Sequence, residues 1–263
     1  MTSVDALASQ LRSLGVPRGG TVMVHASLRA LGPVDGGPAG VVAALDRVVG
    51  PSGTLLMVLG SRDGPEPFDA AHTPADPDVG ALAEVFRTRP GTRMSDHPEG
   101  RFAARGHRAA ELVSDVPWDD YFGPGSPLDR LVHRGGVVLR LGADLDTVTL
   151  LHLAEYLADV PDKRRVRRQR LVAAPGGPRL RVIEALDDEH GIVDVIGEDY
   201  FSTIVRTYLA AGRAVATGTV GGATAELLDA GDLLAYGVAW MSAHLGRGAR
   251  VSDGSGGDGN RPA

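Results

Sequence analysis

The sequence predicts an α/β protein in three layers, α/β/α, with helices on both faces of a central mixed sheet. Short β-branched runs alternate with amphipathic helical periods along most of the chain. The run Gly136-Val137-Val138-Leu139-Arg140-Leu141-Gly142, bounded by glycines, has the length and composition of a buried strand. At 263 residues and 43% hydrophobic content the chain can bury a full core. Neither an internal repeat nor a linker interrupts the pattern. Residues 1–248 are therefore read as one domain, and 249–263, rich in glycine (Gly254, Gly256, Gly257, Gly259), as a disordered tail.

In chain order, the periodicity predicts a helix over 3–15, a strand over 21–25, a helix over 38–49 and a strand over 54–58. Helices follow near 79–88, 126–134 and 149–159, the last capped by Asp144, Asp146 or Thr147. The segment 164–184 reads as a hairpin turning at Pro175-Gly176-Gly177. A helix near 197–211, a strand pair over 213–228 split at Gly221-Gly222, and a helix near 230–245 complete the pattern.

Composition narrows the function. The chain has no cysteine, which excludes disulfides, thiolate metal sites and a cysteine nucleophile. A net charge of −6 argues against a nucleic-acid partner and permits a cationic ligand. No apolar run reaches the ~20 residues of a membrane span, and no signal segment opens the chain, so a cytoplasmic location is expected. A basic run (Lys163, Arg164, Arg165, Arg167, Arg168, Arg170) and an acidic run (Asp187, Asp188, Glu189, Asp194, Glu198, Asp199) read as solvated faces.

Chemistry concentrates just after the 136–142 strand. His152 and Glu155 stand at i and i+3, on one face of a helix whose N-terminal end points at the carboxyl edge of the sheet, where open α/β sheets bind ligands. Three loops accompany them. From His25 through Ser27, Leu28, Arg29, Val34, Gly36 and Gly37, glycines open the backbone to close approach, and a helix start suits a phosphate. The loop Ser61-Arg62-Asp63-Gly64-Pro65-Glu66-Pro67-Phe68-Asp69 clusters carboxylates that a polycation can pair with. The third, Ser95-Asp96-His97-Pro98, either lines a cleft or caps a turn.

Taken in order, His25-Ala26-Ser27-Leu28, Glu66-Pro67-Phe68-Asp69, Ser95-Asp96-His97-Pro98, Ser126-Pro127-Leu128 and Leu151-His152-Leu153-Ala154-Glu155 resemble the aminoglycoside 3-N-acetyltransferase family, distinct from the GNAT acetyltransferases, over about residues 5–245. The resemblance implies the antibiotic N-acetyltransferase fold and transfer of acetyl from acetyl-CoA, as co-substrate and without a metal, to the 3-amino group of a deoxystreptamine aminoglycoside. His152 takes the general-base position, with Glu155 or one of Asp187 and Glu189 orienting the ring and Thr149 available to a developing oxyanion. The CoA pocket maps to His25, Ser27, Leu28, Arg29, Val34, Gly36, Gly37 and Ser95. Drug ammonium groups map to Asp63, Glu66, Asp187 and Glu189.

Ala26 stands where many relatives carry a second serine, and Gly100 where a small hydroxyl residue is frequent, which lightens the expected CoA contact. An acyltransferase acting on another amine, as in antibiotic biosynthesis, fits the same residues. The oligomeric state stays open, a homodimer included.

Overall fold

A computed structural model describes residues 1–60, 64, 66–192, 194–195 and 197–246. The expected tail over 249–263 and Asp63 lie outside the described residues.

The chain opens with α1 (Val4–Ser13), capped by the Ser3 hydroxyl, which accepts from the Ala6 amide at 3.1 Å. There follow β1 (Thr21–Ala26), the single turn α2 (Leu28–Leu31), α3 (Gly37–Val49), β2 (Thr54–Val58), α4 (Ala81–Thr88), β3 (Arg93–Met94), β4 (Phe102–Gly106), α5 (Ala109–Val113), α6 (Pro127–His133) and β5 (Val137–Leu141). The second half carries α7 (Leu151–Leu157), β6 (Arg165–Val172), β7 (Arg179–Leu186), β8 (Asp194–Val195), β9 (Glu198–Asp199), α8 (Tyr200–Ala210), β10 (Ala216–Val220), β11 (Ala223–Asp229) and α9 (Ala230–Leu245).

A seven-stranded sheet orders these strands β10-β11-β5-β1-β2-β4-β3. The central β5, β1 and β2 are parallel, and the flanking pairs are antiparallel, so the sheet is mixed as expected. Alternation along each strand sends side chains to opposite faces. Val22 and Val24 of β1 join Leu55, Met57, Leu139 and Leu141 under α1, α3 and α4. Met23, Leu56 and Val138 turn to the other face, under α5 to α9. Two apolar clusters separated by the sheet are the three layers.

Departures from the expected elements have local causes. Phe102-Ala103-Ala104-Arg105-Gly106 carries no β-branched residue, yet it pairs with β2 over its whole length because Phe102, Ala103 and Ala104 are fully buried; tertiary packing overrides propensity. Helix α8 begins at Tyr200 because the Asp199 carboxylate accepts from the Ser202 amide at 2.9 Å. Helix α7 begins at Leu151, after a 3₁₀ turn at Leu145–Thr147.

The predicted hairpin is present as β6 and β7, paired in register from Arg165↔Leu186 to Val172↔Arg179, in a two-stranded sheet of its own. The reading of the charge runs as solvated faces is corrected here. Folding the hairpin back brings the two runs together: Arg168 meets Asp188 at 3.0 Å and Glu189 at 3.3 Å, while Lys163, Arg170 and Asp187 are buried. Spacing along a chain does not reveal which charges a crossover will neutralise.

Candidate active site

The parallel strands β2, β1 and β5 end together, and the chain reverses direction about β1, which is the place where a doubly wound sheet opens a crevice. A cavity of about 500 Å³ lies there, lined by His25 and Ser27 after β1, Val58 and Gly60 after β2, and Asp144, Thr149 and His152 after β5. Gly142 makes the crevice possible. Its φ is 64°, and a Cβ there would lie 2.5 Å from the Ala30 Cβ, so only glycine lets α2 approach β5 this closely.

His152 sits at the N-terminal turn of α7 with its side chain 18% exposed. Its Nδ1 lies 2.9 Å from Glu155 Oε2, and Glu155 is buried at 1% side-chain exposure. An ionised carboxylate can only accept, so Nδ1 carries a proton and Nε2 is the ring nitrogen left to face other groups. Burial raises the Glu155 carboxyl's proton affinity, but His152 and Lys163 outweigh that and hold it below the ordinary carboxylate range. Phe122 stacks on the imidazole and Phe201 meets it edge-on, which fixes the plane of the ring.

A second recess of about 230 Å³, between α7, the loop after β7 and the start of α8, adjoins the main cavity and shares Asp146, His152, Asp188 and Glu189 with it. Asp146, Asp188, Glu189 and Asp199 line it. The Asp146 carboxyl is pushed up by burial and by its neighbours Asp199 and Asp144. His152 is thus common to both spaces.

The sequence-predicted residues divide. His25, Ser27, Thr149, His152 and Glu189 meet at the main cavity, and Glu155 touches the recess. Leu28, Arg29, Val34, Gly36 and Gly37 lie outside the cavity lining, with Gly36 capping α3. Ser95 is fully buried and its hydroxyl is spent locally, donating to Gly100 O at 3.0 Å and accepting from the Phe102 amide at 2.8 Å. His97 caps the same turn, its Nδ1 accepting from the Gly100 amide at 2.7 Å. Gly100 faces Tyr121, whose Cβ would sit 2.7 Å from an added Cβ, so a side chain is excluded there by packing and the position lies outside the lining of the main cavity.

Glu66 is exposed and lines a separate cavity with Arg170 and Leu171. Asp187 is corrected from an open drug ligand to a buried clamp: Arg164 holds it at 2.6 Å and Arg168 at 3.5 Å, and it lines neither His152 space. Its neighbour Asp188 takes that place, together with Asp146 and Asp199. Both of those were legible as caps or charges but not as cavity walls.

Across β1, β5 and β11, His25, Arg140 and Glu226 stand side by side in register on the face of α7. Arg140 pairs with Glu226 at 2.6 Å in the interior. Burial, with help from Arg140, lowers the His25 pKa to about 4, so the ring is neutral.

The carboxyl edge of a doubly wound sheet thus holds a crevice, an oriented histidine and an acidic wall, the setting of an α/β enzyme's active site. Residues 23–242 match the family model for aminoglycoside 3-N-acetyltransferase, and the chain belongs to that family of acyltransferases. It is 42% identical over 266 residues to aminoglycoside N(3)-acetyltransferase VII of Streptomyces paromomycinus, covering 92% of each chain. Among solved structures it is similar to AAC-IIIb in binary complex with CoASH (TM-score 0.89, 39% identity, 94% of this chain and 98% of that one). It is similar also to AAC-VIa bound to sisomicin (TM-score 0.87, 38% identity, 92% and 98%). Among the described residues no helix is long and apolar enough to cross a membrane.

Proposed function

We propose that the chain acetylates the 3-amino group of a deoxystreptamine aminoglycoside from acetyl-CoA, with His152 as general base. The observation that carries this reading is the position of His152 between two spaces, oriented by Glu155 through a 2.9 Å contact. The CoA-bound and sisomicin-bound relatives supply the chemical classes of the two ligands. Acetyl-CoA approaches along the β1 side past His25 and Ser27; the drug's ammonium groups lie against Asp146, Asp188, Glu189 and Asp199. Residues 1–248 act as one catalytic unit in the cytoplasm, where acetyl-CoA is available, and the modified drug loses a cationic contact it needs at its target, hence resistance.

An aminoglycoside amine must shed a proton before its lone pair can attack the thioester carbon. As the N–C bond forms, the carbonyl π pair moves to oxygen and His152 Nε2 takes a proton from nitrogen. Collapse of the tetrahedral oxyanion breaks the C–S bond; the CoA sulfur leaves with the pair and receives the proton from His152. Glu155 holds the imidazolium formed in between, and Thr149, which lines the cavity and donates its hydroxyl to Thr147 O at 3.3 Å in the free protein, turns that proton to the oxyanion. Overall the ammonium and acetyl-CoA give the amide, CoA thiol and one proton.

The test is thiol release from acetyl-CoA with a panel of aminoglycosides, wild type against His152→Ala. Release that falls at least ~100-fold in a folded variant supports both the reaction and the base. CoA binding with none of the panel acetylated redirects the activity to another amine, and no CoA binding overturns the reading.

A further inference from the structure

Behind the His152–Glu155 pair lies a third charged group that the transfer chemistry leaves unused. Lys163, at the foot of the β6–β7 hairpin, buries its ammonium at 3% side-chain exposure and meets Glu155 Oε1 at 2.6 Å. The same Nζ donates to the Tyr200 hydroxyl at 3.2 Å and to the His190 carbonyl at 3.1 Å. Tyr200, itself buried, donates its hydroxyl to Glu155 Oε1. The two carboxylate oxygens are therefore divided: Oε2 serves the imidazole, and Oε1 serves Lys163 and Tyr200.

We propose that Lys163, braced by Tyr200, is a positioning residue that offsets the Glu155 charge and so keeps His152 in its proton-accepting form until the substrate amine delivers its proton. This rests on the reading of His152 as base. With a neutral imidazole, the buried trio His152, Glu155 and Lys163 sums to zero, and protonation raises it to one positive charge. Without Lys163 the same trio starts at one negative charge, and protonation neutralises it. Burial disfavours net charge, so removing Lys163 turns the trio from one that resists a stray proton into one that attracts it. A base already protonated at working pH cannot accept from the substrate.

Other titratable groups face His152 from the surrounding elements. Asp146, Asp188, Glu189, His190 and Asp199 line the recess, and His25 stands on the main cavity wall with Asp76, Asp78, Glu99 and Asp144. Of these, only His190 is held by Lys163, through its carbonyl at 3.1 Å, so Tyr200→Phe, which leaves that contact intact, separates the Glu155 effect from a shift of His190.

The experiment follows the His152 ring by NMR against pH in the ligand-free protein, with His152→Ala to assign the signal, alongside kcat/KM for acetyl transfer over the same pH range. In Lys163→Met the ring's titration midpoint rises by about one pH unit or more. The acidic limb of kcat/KM moves with it: transfer at the acid end falls about tenfold while the alkaline plateau holds within a few-fold. Lys163→Arg restores the midpoint, and Tyr200→Phe moves it the same way by less. An unchanged midpoint with activity lost evenly across pH would assign Lys163 to structure alone and overturn the proposal. Should Lys163→Met not fold, Tyr200→Phe decides: a midpoint raised above that of the wild type supports the proposal, and an unchanged midpoint overturns it. Failure of the base reading is distinct, because His152→Ala would then retain transfer.

Discussion

Phe122 lies flat against His152, the two rings 4.9 Å apart between centroids and 10° from parallel. The imidazole is thereby fixed in two ways, by a carboxylate at one edge and by an aromatic face over its plane. Stacked pairs of this kind contribute about 0.5–1.5 kcal/mol beyond area burial, and the loss here falls on ring orientation. Phe122→Leu is expected to lower kcat about 3- to 10-fold without moving the acidic limb of the pH profile, measured by steady-state thiol release.

Asp146 lines both spaces beside His152, with its carboxyl pushed up by burial and by Asp199 and Asp144. In Asp146→Asn, affinity for a polycationic aminoglycoside drops about 3- to 10-fold, and the loss of binding with added salt becomes shallower. Calorimetric titration at two ionic strengths reads both; unchanged affinity at low salt would remove Asp146 from the drug wall.

Two buried histidines predict acid sensitivity. Burial lowers the pKa of both His25 and His97 from 6.5 to about 4, so the fold holds them neutral while the unfolded chain protonates them below 6.5. A depressed histidine contributes stability that is complete above pH 6.5 and lost as pH falls towards 4, up to about 3 kcal/mol for each ring. Urea unfolding at pH 7 and pH 5 should show this decline. His97→Asn should flatten it by one proton's worth while weakening the 97–100 turn.

Arg101 is fully buried and ties down the chain around residues 60–74, donating to Pro74 O at 2.6 Å, Gly60 O at 3.3 Å, Ala70 O at 3.4 Å and also to Thr73 O. Arg101→Met leaves those carbonyls without their donor, and a loss of about 3 kcal/mol in urea unfolding is expected.

Asp187, Glu189 and His190 can bring ligand atoms within 4.8 Å of one another. The Asp187 carboxylate is already held by Arg164 at 2.6 Å, which opposes a second cation at that corner. Acetyl transfer is therefore expected to persist undiminished in a strong chelator, read by the same thiol assay.

How much of this was legible in the sequence depended on chain distance. His152 and Glu155 are one helical turn apart, so their spacing alone puts them on one face. The strand before them was legible from its glycine-bounded β-branched run. Asp146 looked like an ordinary cap and Asp199 like one charge of an acidic run, because capping, solvation and lining a cavity all use the same short carboxylate. Lys163 was hidden inside a basic run, since its partners lie at 155 and 200 and meet it only through the hairpin and α8. Ser95 and the 34–37 turn matched family segments, and their local roles in hydrogen bonding and capping appear only once the neighbouring backbone is in place.

The β6–β7 hairpin has a consequence for how such a protein diversifies. Its roots carry Lys163 at one end and the acidic 187–190 segment at the other, while α7 alone carries His152 and Glu155. A lineage can therefore exchange Asp188 or Glu189 for other side chains and try new acceptors without rebuilding the proton-handling helix. Lys163 sets the boundary of that freedom: its buried ammonium meets Glu155 of α7 at 2.6 Å, so variation in the hairpin is expected to run outward from its turn and to stop at its foot.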